Sequence, residues 1–204
     1  PEVAERHALG AEVGKLLPSI ASATGLNAVP VIAPATHDTG SAVAAVPAET
    51  RDYAYISSGT WSLMGVELDE PLISDKALQY NFTNEGGVGP NYRFLKNIMG
   101  LWLVQECRRA WQREGRDFSY EQLTAMARDA VPFVALIEPD DERFITPGDM
   151  PARIRAYCEE TSQNVPADEG QMIRIVLESL ALKYRYVLES LETILGRRLE
   201  CIHI

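Results

Sequence analysis

Apolar positions are sparse and irregular over residues 1–29, where Leu9, Val13, Leu16, Leu17 and Ile20 stand among small and polar residues and Gly25-Leu26-Asn27 closes the segment. The pattern predicts a turn-rich lead-in. The first dense apolar run, Val29-Pro30-Val31-Ile32-Ala33, predicts a short strand. A polar turn follows it, and then a helix-compatible stretch of small residues from Gly40 to Ala45. Tyr53-Ala54-Tyr55-Ile56 and Trp61-Ser62-Leu63-Met64-Gly65-Val66 are β-prone, and the polar Ser57-Ser58-Gly59-Thr60 between them predicts a tight hairpin. Residues 69–92 mix Asp, Asn, Gly and Pro with short apolar patches and read mainly as loop.

Between Tyr92 and Trp111, Leu95, Ile98, Met99, Trp102 and Ala110 recur at helical spacing, which predicts an amphipathic helix. A second helix is expected from Tyr120 to Arg128 with Ser119 as N-cap, then loop and short strand over 131–151. Pro151 to Glu160 is expected to be helical. Gln171 to Leu195 carries Met172, Val176, Leu180, Val187, Leu191 and Ile194 on one face, with Gly196 placed to end it. Leu199 to Ile204 reads as a strand, no internal repeat is visible, and the class is mixed α/β.

Composition narrows the function classes. Of 204 residues, 46% are hydrophobic and 24% charged, the make-up of an ordinary folded domain or of two small ones. A formal net charge of −10 argues against nucleic-acid binding, which needs clustered Lys and Arg, but it leaves ATP open because backbone amides and Mg2+ can hold phosphates. The three cysteines, Cys107, Cys158 and Cys201, suggest neither a disulfide framework nor a CxxC metal pair, and fit a reduced, cytoplasmic setting. No apolar run approaches the roughly 18 residues of a membrane span. The start at Pro1 and the stop within an apolar stretch at Ile204 give the ends the look of cuts. Nothing in the sequence fixes an oligomeric state.

Thr36-His37-Asp38-Thr39 falls where a strand hands over to a helix, the place where open α/β sheets put ligands. A carboxylate there suits a general base, because a helix N-terminus favours negative charge, but on spacing alone an ordinary N-cap is the better account of Asp38. Ser57-Ser58-Gly59-Thr60 offers hydroxyls and a glycine that lets amides approach a phosphate, yet it lacks the spacing and lysine of a P-loop and also suits a plain turn. Asn84-Glu85-Gly86-Gly87 is open between an anion nest and a loop. Lys96, Asn97 and Gln105 are polar positions of the 92–111 segment, for which a solvated helix face is the plain alternative. His7 and His203 stand apart from any metal-ligand spacing, and no nucleophile triad is present.

Taken in order and spacing, four strings closely resemble the rhamnulokinase branch of the FGGY carbohydrate-kinase family: Ala35 to Val43 (ATHDTGSAV), Tyr55 to Gly65 (YISSGTWSLMG), Thr83 to Gly87 (TNEGG) and Tyr92 to Leu103 (YRFLKNIMGLWL). Asp140 to Pro147 (DDERFITP) looks like a later segment of that family, so the resemblance runs from about residue 29 to 204. It implies an actin-like ATPase fold of two ribonuclease-H-like lobes, with ATP and a sugar meeting between them. Residues 1–50 would be the end of the sugar-binding lobe and 51–204 the first part of the nucleotide-binding lobe.

The same resemblance implies His37, Asp38, Thr39 and Asn97 as sugar contacts, Asp38 as the base, and Thr60 and Gln105 as ATP contacts, with no protein metal ligand in this segment. The expected reaction is ATP- and Mg2+-dependent phosphorylation of the 1-hydroxyl of L-rhamnulose, in rhamnose catabolism. The alternatives are a kinase of a related ketose such as L-fuculose, or, for the isolated chain, a non-catalytic binding fragment. Nothing in this sequence matches the family's N-terminal phosphate and magnesium strand or its C-terminal glycine-rich adenine turn.

Overall fold

The computed structural model describes residues 10–26, 29–33 and 37–204. His7, Leu9, Asn27, Pro34 and the Ala35-Thr36 part of the first motif lie outside the described residues. The elements in chain order are β1 (Glu12–Lys15), α1 (Pro18–Thr24), β2 (Pro30–Ile32), α2 (Asp38–Ala44), β3 (Tyr53–Ser58), β4 (Trp61–Leu68), α3 (Asp75–Gln79), β5 (Thr83–Gly86), β6 (Tyr92–Met99), α4 (Trp102–Arg113), α5 (Tyr120–Asp129), α6 (Met150–Glu160), α7 (Glu169–Leu195) and β7 (Cys201–His203), with a 3₁₀ turn at Glu142–Phe144. Strands β1 and β2 pair antiparallel, and a five-stranded sheet runs β5-β6-β4-β3-β7. The mixed α/β class holds.

Four expectations need correction. The lead-in is not merely turns: it contains β1 and α1, the latter started by Pro18 at its first position and ended by Gly25 at φ 71°. The 69–92 loop contains α3, capped where the Ser74 side chain accepts the Ala77 amide, and β5. The 131–151 stretch carries the 3₁₀ turn among loops and no strand. The largest correction is at 92–111, where the single expected helix is strand β6, a turn at Gly100-Leu101, and helix α4. Phe94, Leu95, Ile98 and Met99 are at most 1% exposed, so β6 is buried on both faces and shows no alternation to betray it.

The contact pattern divides the chain into two units, and strands β3, β4 and β6 each contribute to both. The first unit comprises residues 1–53 and 66–95. Within it β5 and β6 pair antiparallel, with Glu85 opposite Arg93, and Phe82 stacks on Phe94 with ring centroids 5.1 Å apart. The Asn84 side chain both accepts from the Leu72 amide and donates to the Leu72 carbonyl, each at 2.9 Å. Glu67 accepts from Tyr53 Oη and Asn91 Nδ2, both at 2.7 Å.

The second unit comprises residues 54–65 and 96–204. Here β3 and β4 form the expected hairpin, although the strands continue to Ser58 and resume at Trp61, so that the turn is only Gly59-Thr60. Helices α4, α5, α6 and α7 enclose a core of Leu103, Cys107, Trp111, Leu123, Phe144, Ile154, Met172 and Val176, among others. Ser119 caps α5 as expected, and the structure adds the reciprocal half of a capping box, the Gln122 side chain accepting the Ser119 amide at 2.8 Å. Asp168 caps α7, and Gly196 at φ 68° ends it in the left-handed conformation that a side chain would disfavour.

Candidate functional site

In the first unit, α2 opens at Asp38 with its N-cap position taken by His37, whose side chain makes no capping bond. Asp38 is therefore the first helical residue and not the N-cap. Its Oδ1 accepts the Thr39 amide at 2.7 Å and lies 3.4 Å from His37 Nδ1. The carboxylate is tethered at one oxygen and still 97% exposed, while Thr39 and Gly40 behind it are buried. An exposed carboxylate fixed by its own helix start is placed to meet a ligand without rearranging a core.

In the second unit, the turn between β3 and β4 is held by the start of α4. The amides of Leu101 and Trp102 donate to the carbonyls of Gly59 and Thr60, at 2.9 and 3.0 Å. Those bonds bring the Thr60 hydroxyl to the Gln105 amide, whose Nε2 donates to it at 3.2 Å and whose Oε1 lies 3.3 Å away. Gly100 makes the approach possible: a Cβ there would sit 2.7 Å from the Gly59 carbonyl and from Ser62 Oγ, and 2.8 Å from the Thr60 carbonyl. Ser62 in turn shares a 2.7 Å hydrogen bond with Tyr184 Oη. The two residues expected to contact ATP thus form one polar corner. Gly100 and the amides of Leu101 and Trp102 carry no local sequence signal of this role, because the carbonyls they meet lie about forty residues away.

Asn97 is exposed, but on strand β6 rather than on a helix. Burial lowers the pKa of its neighbour Lys96, against the pull of the Asp140 carboxylate. Lys183 is affected most by burial, which disfavours its charge, yet its hydrogen bonds to Glu138 at 2.7 Å and Asp140 at 2.9 Å more than offset this and leave its pKa raised. The Asn84-Glu85-Gly86-Gly87 stretch is neither nest nor loop in its first three residues: it is β5, with Asn84 clamping Leu72 and Glu85 Oε2 3.0 Å from Arg93 Nη2.

Among the described residues, no group of three or more His, Cys, Asp or Glu is arranged to hold a metal ion. The Thr60–Gln105 corner, with a hydroxyl and an amide, fits hydrogen bonding to a polar ligand such as a nucleotide. No helix among the described residues is long and apolar enough to cross a membrane.

Residues 54–204 match the model of the FGGY family of carbohydrate kinases, C-terminal domain. Over 195 residues, 96% of this chain and 39% of the relative, the sequence is 52% identical to a rhamnulokinase of Bacteroides thetaiotaomicron. It is 47% identical over 182 residues, 89% of this chain and 37% of the relative, to a rhamnulokinase of Oceanobacillus iheyensis. A Bacillus subtilis rhamnulokinase is 42% identical over 195 residues, 96% of this chain and 40% of the relative. The chain thus spans about two fifths of the length of these relatives. Among solved structures it is similar in fold to a xylulose kinase from Rhodospirillum rubrum, with a TM-score of 0.57 at 17% identity over 92% of this chain and 37% of that one. A xyloylose kinase from Brucella ovis gives 0.60 at 13% identity over 96% and 39%. The expected actin-like sugar-kinase fold is thereby met, and the chain belongs to the FGGY family of carbohydrate kinases.

Proposed function

We propose that this chain is part of a kinase that transfers the γ-phosphoryl group of ATP to the 1-hydroxyl of L-rhamnulose. The observation that carries the chemistry is the Asp38 carboxylate, held at Oδ1 by the Thr39 amide and otherwise exposed. In this reading Oδ1 stays with the amide and Oδ2 accepts the sugar proton. The sugar oxygen forms its bond to the γ-phosphorus as the bond to the β–γ bridging oxygen breaks, and ADP leaves. Phosphoryl transfer asks little covalent work of the protein, so a base and well-placed polar contacts suffice.

His37, Thr39 and Asn97 are read as further sugar contacts, and Thr60 and Gln105 as ATP contacts. The substrate assignment rests on three relatives named rhamnulokinase at 42–52% identity. Magnesium, when it accompanies ATP, neutralises phosphate charge; residues of this chain are given no part in holding it. Residues 1–50 are read as the end of the sugar lobe and 51–204 as the start of the nucleotide lobe, in a cytoplasmic enzyme of sugar catabolism.

The test is a comparison of kcat/KM for L-rhamnulose and L-fuculose with the complete protein and ATP. Preference for rhamnulose supports the reading. Preference for fuculose replaces the substrate, and no transfer to either sugar ends the kinase reading.

A further inference from the structure

The 138–144 segment reaches the corner just described at two points, one on each side of its turn. Asp140 Oδ1 accepts the Met99 amide at 2.7 Å, the last residue of β6, and the Phe144 carbonyl accepts the Trp102 indole N–H at 3.0 Å, the first residue of α4. Between those tethers lie Gly100 and Leu101. The amides of Leu101 and Trp102 carry the Gly59-Thr60 turn, and Gln105 meets Thr60 one helical turn further on. Asp140 is itself fixed: its Oδ2 lies 2.9 Å from Lys183 Nζ, and its own amide donates to Glu138 Oε1 at 3.1 Å. Lys183 also binds Glu138, so the carboxylate that holds the Met99 amide is braced from α7.

We propose that Asp140, braced by Lys183, is a positioning residue that sets the β6–α4 junction and through it the Thr60–Gln105 corner, and so acts on nucleotide binding without touching the nucleotide. The inference rests on the reading of Thr60 and Gln105 as ATP contacts. A buried amide that loses its acceptor must find another by moving, because leaving it unpaired is costly. Here Gly100 has no slack: its Cα is packed so closely against the turn that even a methyl group would collide with it. Movement of Met99 is therefore passed to the turn carbonyls rather than absorbed. Asp140→Asn keeps an acceptor at the Oδ1 position, whereas Asp140→Ala removes it.

The experiment uses the complete protein and reads two quantities: the dissociation constant for a non-hydrolysable ATP analogue by calorimetry, and KM for the sugar. Asp140→Ala is expected to weaken analogue binding roughly tenfold with the sugar KM within about twofold, and Asp140→Asn to restore most of the affinity. Unchanged analogue affinity in a folded Asp140→Ala protein, or equal loss on both substrates, overturns the proposal. If Asp140→Ala does not fold, Trp102→Phe decides: it removes the second tether and must also weaken the analogue, and unchanged affinity overturns the proposal. If the parent protein binds the analogue but phosphorylates no sugar, the proposed function fails and the titrations still judge the positioning role. If it does not bind the analogue at all, both fail.

Discussion

Thr60 and Gln105, 45 residues apart in sequence, face each other at 3.2 and 3.3 Å through the threonine hydroxyl and the two ends of the glutamine amide. Because each contact also orients the other side chain, their contributions to nucleotide binding should be coupled. Thr60→Ala and Gln105→Ala are each expected to raise KM for ATP in the complete protein, with a double-mutant coupling of about 0.5–1 kcal/mol. Strict additivity in that cycle would show that the pair does not act as one corner.

Gly100 permits the corner to exist, and its replacement should be felt in stability. Gly100→Ala would force a methyl group to 2.7 Å from both the Gly59 carbonyl and Ser62 Oγ. The expected loss is about 1–3 kcal/mol, the usual range for overpacking, read as a shift of the urea midpoint. A midpoint within error of the parent protein would mean that the turn can withdraw without cost.

The three cysteines should differ in reactivity. Cys201 is exposed, while Cys107 and Cys158 are buried and their thiol pKa values are pushed up by burial. Under native conditions a thiol reagent should modify one cysteine quickly and the other two only on unfolding. Mass spectrometry would locate the label, and rapid labelling of Cys107 would contradict the packing around Trp111 and Leu103.

Cys107 and Lys183 should each lower stability as pH rises, with the same sign. A thiol whose folded pKa exceeds its ordinary 9.0 cannot ionise until higher pH, so the unfolded chain loses protons first and stability falls above about pH 9. Lys183, raised above its ordinary 10.5, contributes stability that is full below that value and is lost as pH rises through its folded value. Lys183→Met should therefore flatten the uppermost part of the stability profile while Cys107→Ala flattens its onset. Profiles that superimpose on the parent would remove these groups from the explanation.

Much of this was legible in the sequence, and the failures have a common cause. The Ser119 N-cap, the Asp38 helix start, the β3–β4 hairpin and the Gly196 stop are local signals, set within a few residues, and each appears where the spacing puts it. Strand β6 is illegible in the sequence because a strand buried on both faces has no alternation, and Leu95, Ile98, Met99 and Trp102 happen to fall at helical intervals. Asn97 survives that error as an exposed residue but changes its scaffold, from a helix face to a strand. Asp140 carried no sign of its partners, because the bonds to Met99 and Lys183 join residues about forty positions away on either side. Such long-range tethers exist only once the chain is folded.

The central claim is that Asp38 takes the proton from the sugar hydroxyl, and Asp38→Asn tests it most directly, since the asparagine can keep the bond from the Thr39 amide but is a far weaker base. Single-turnover and steady-state kinetics on the complete protein should show kcat reduced by roughly 100-fold or more with the sugar KM changed only a few-fold. An unchanged kcat would contradict the account and leave Asp38 as no more than the first residue of its helix.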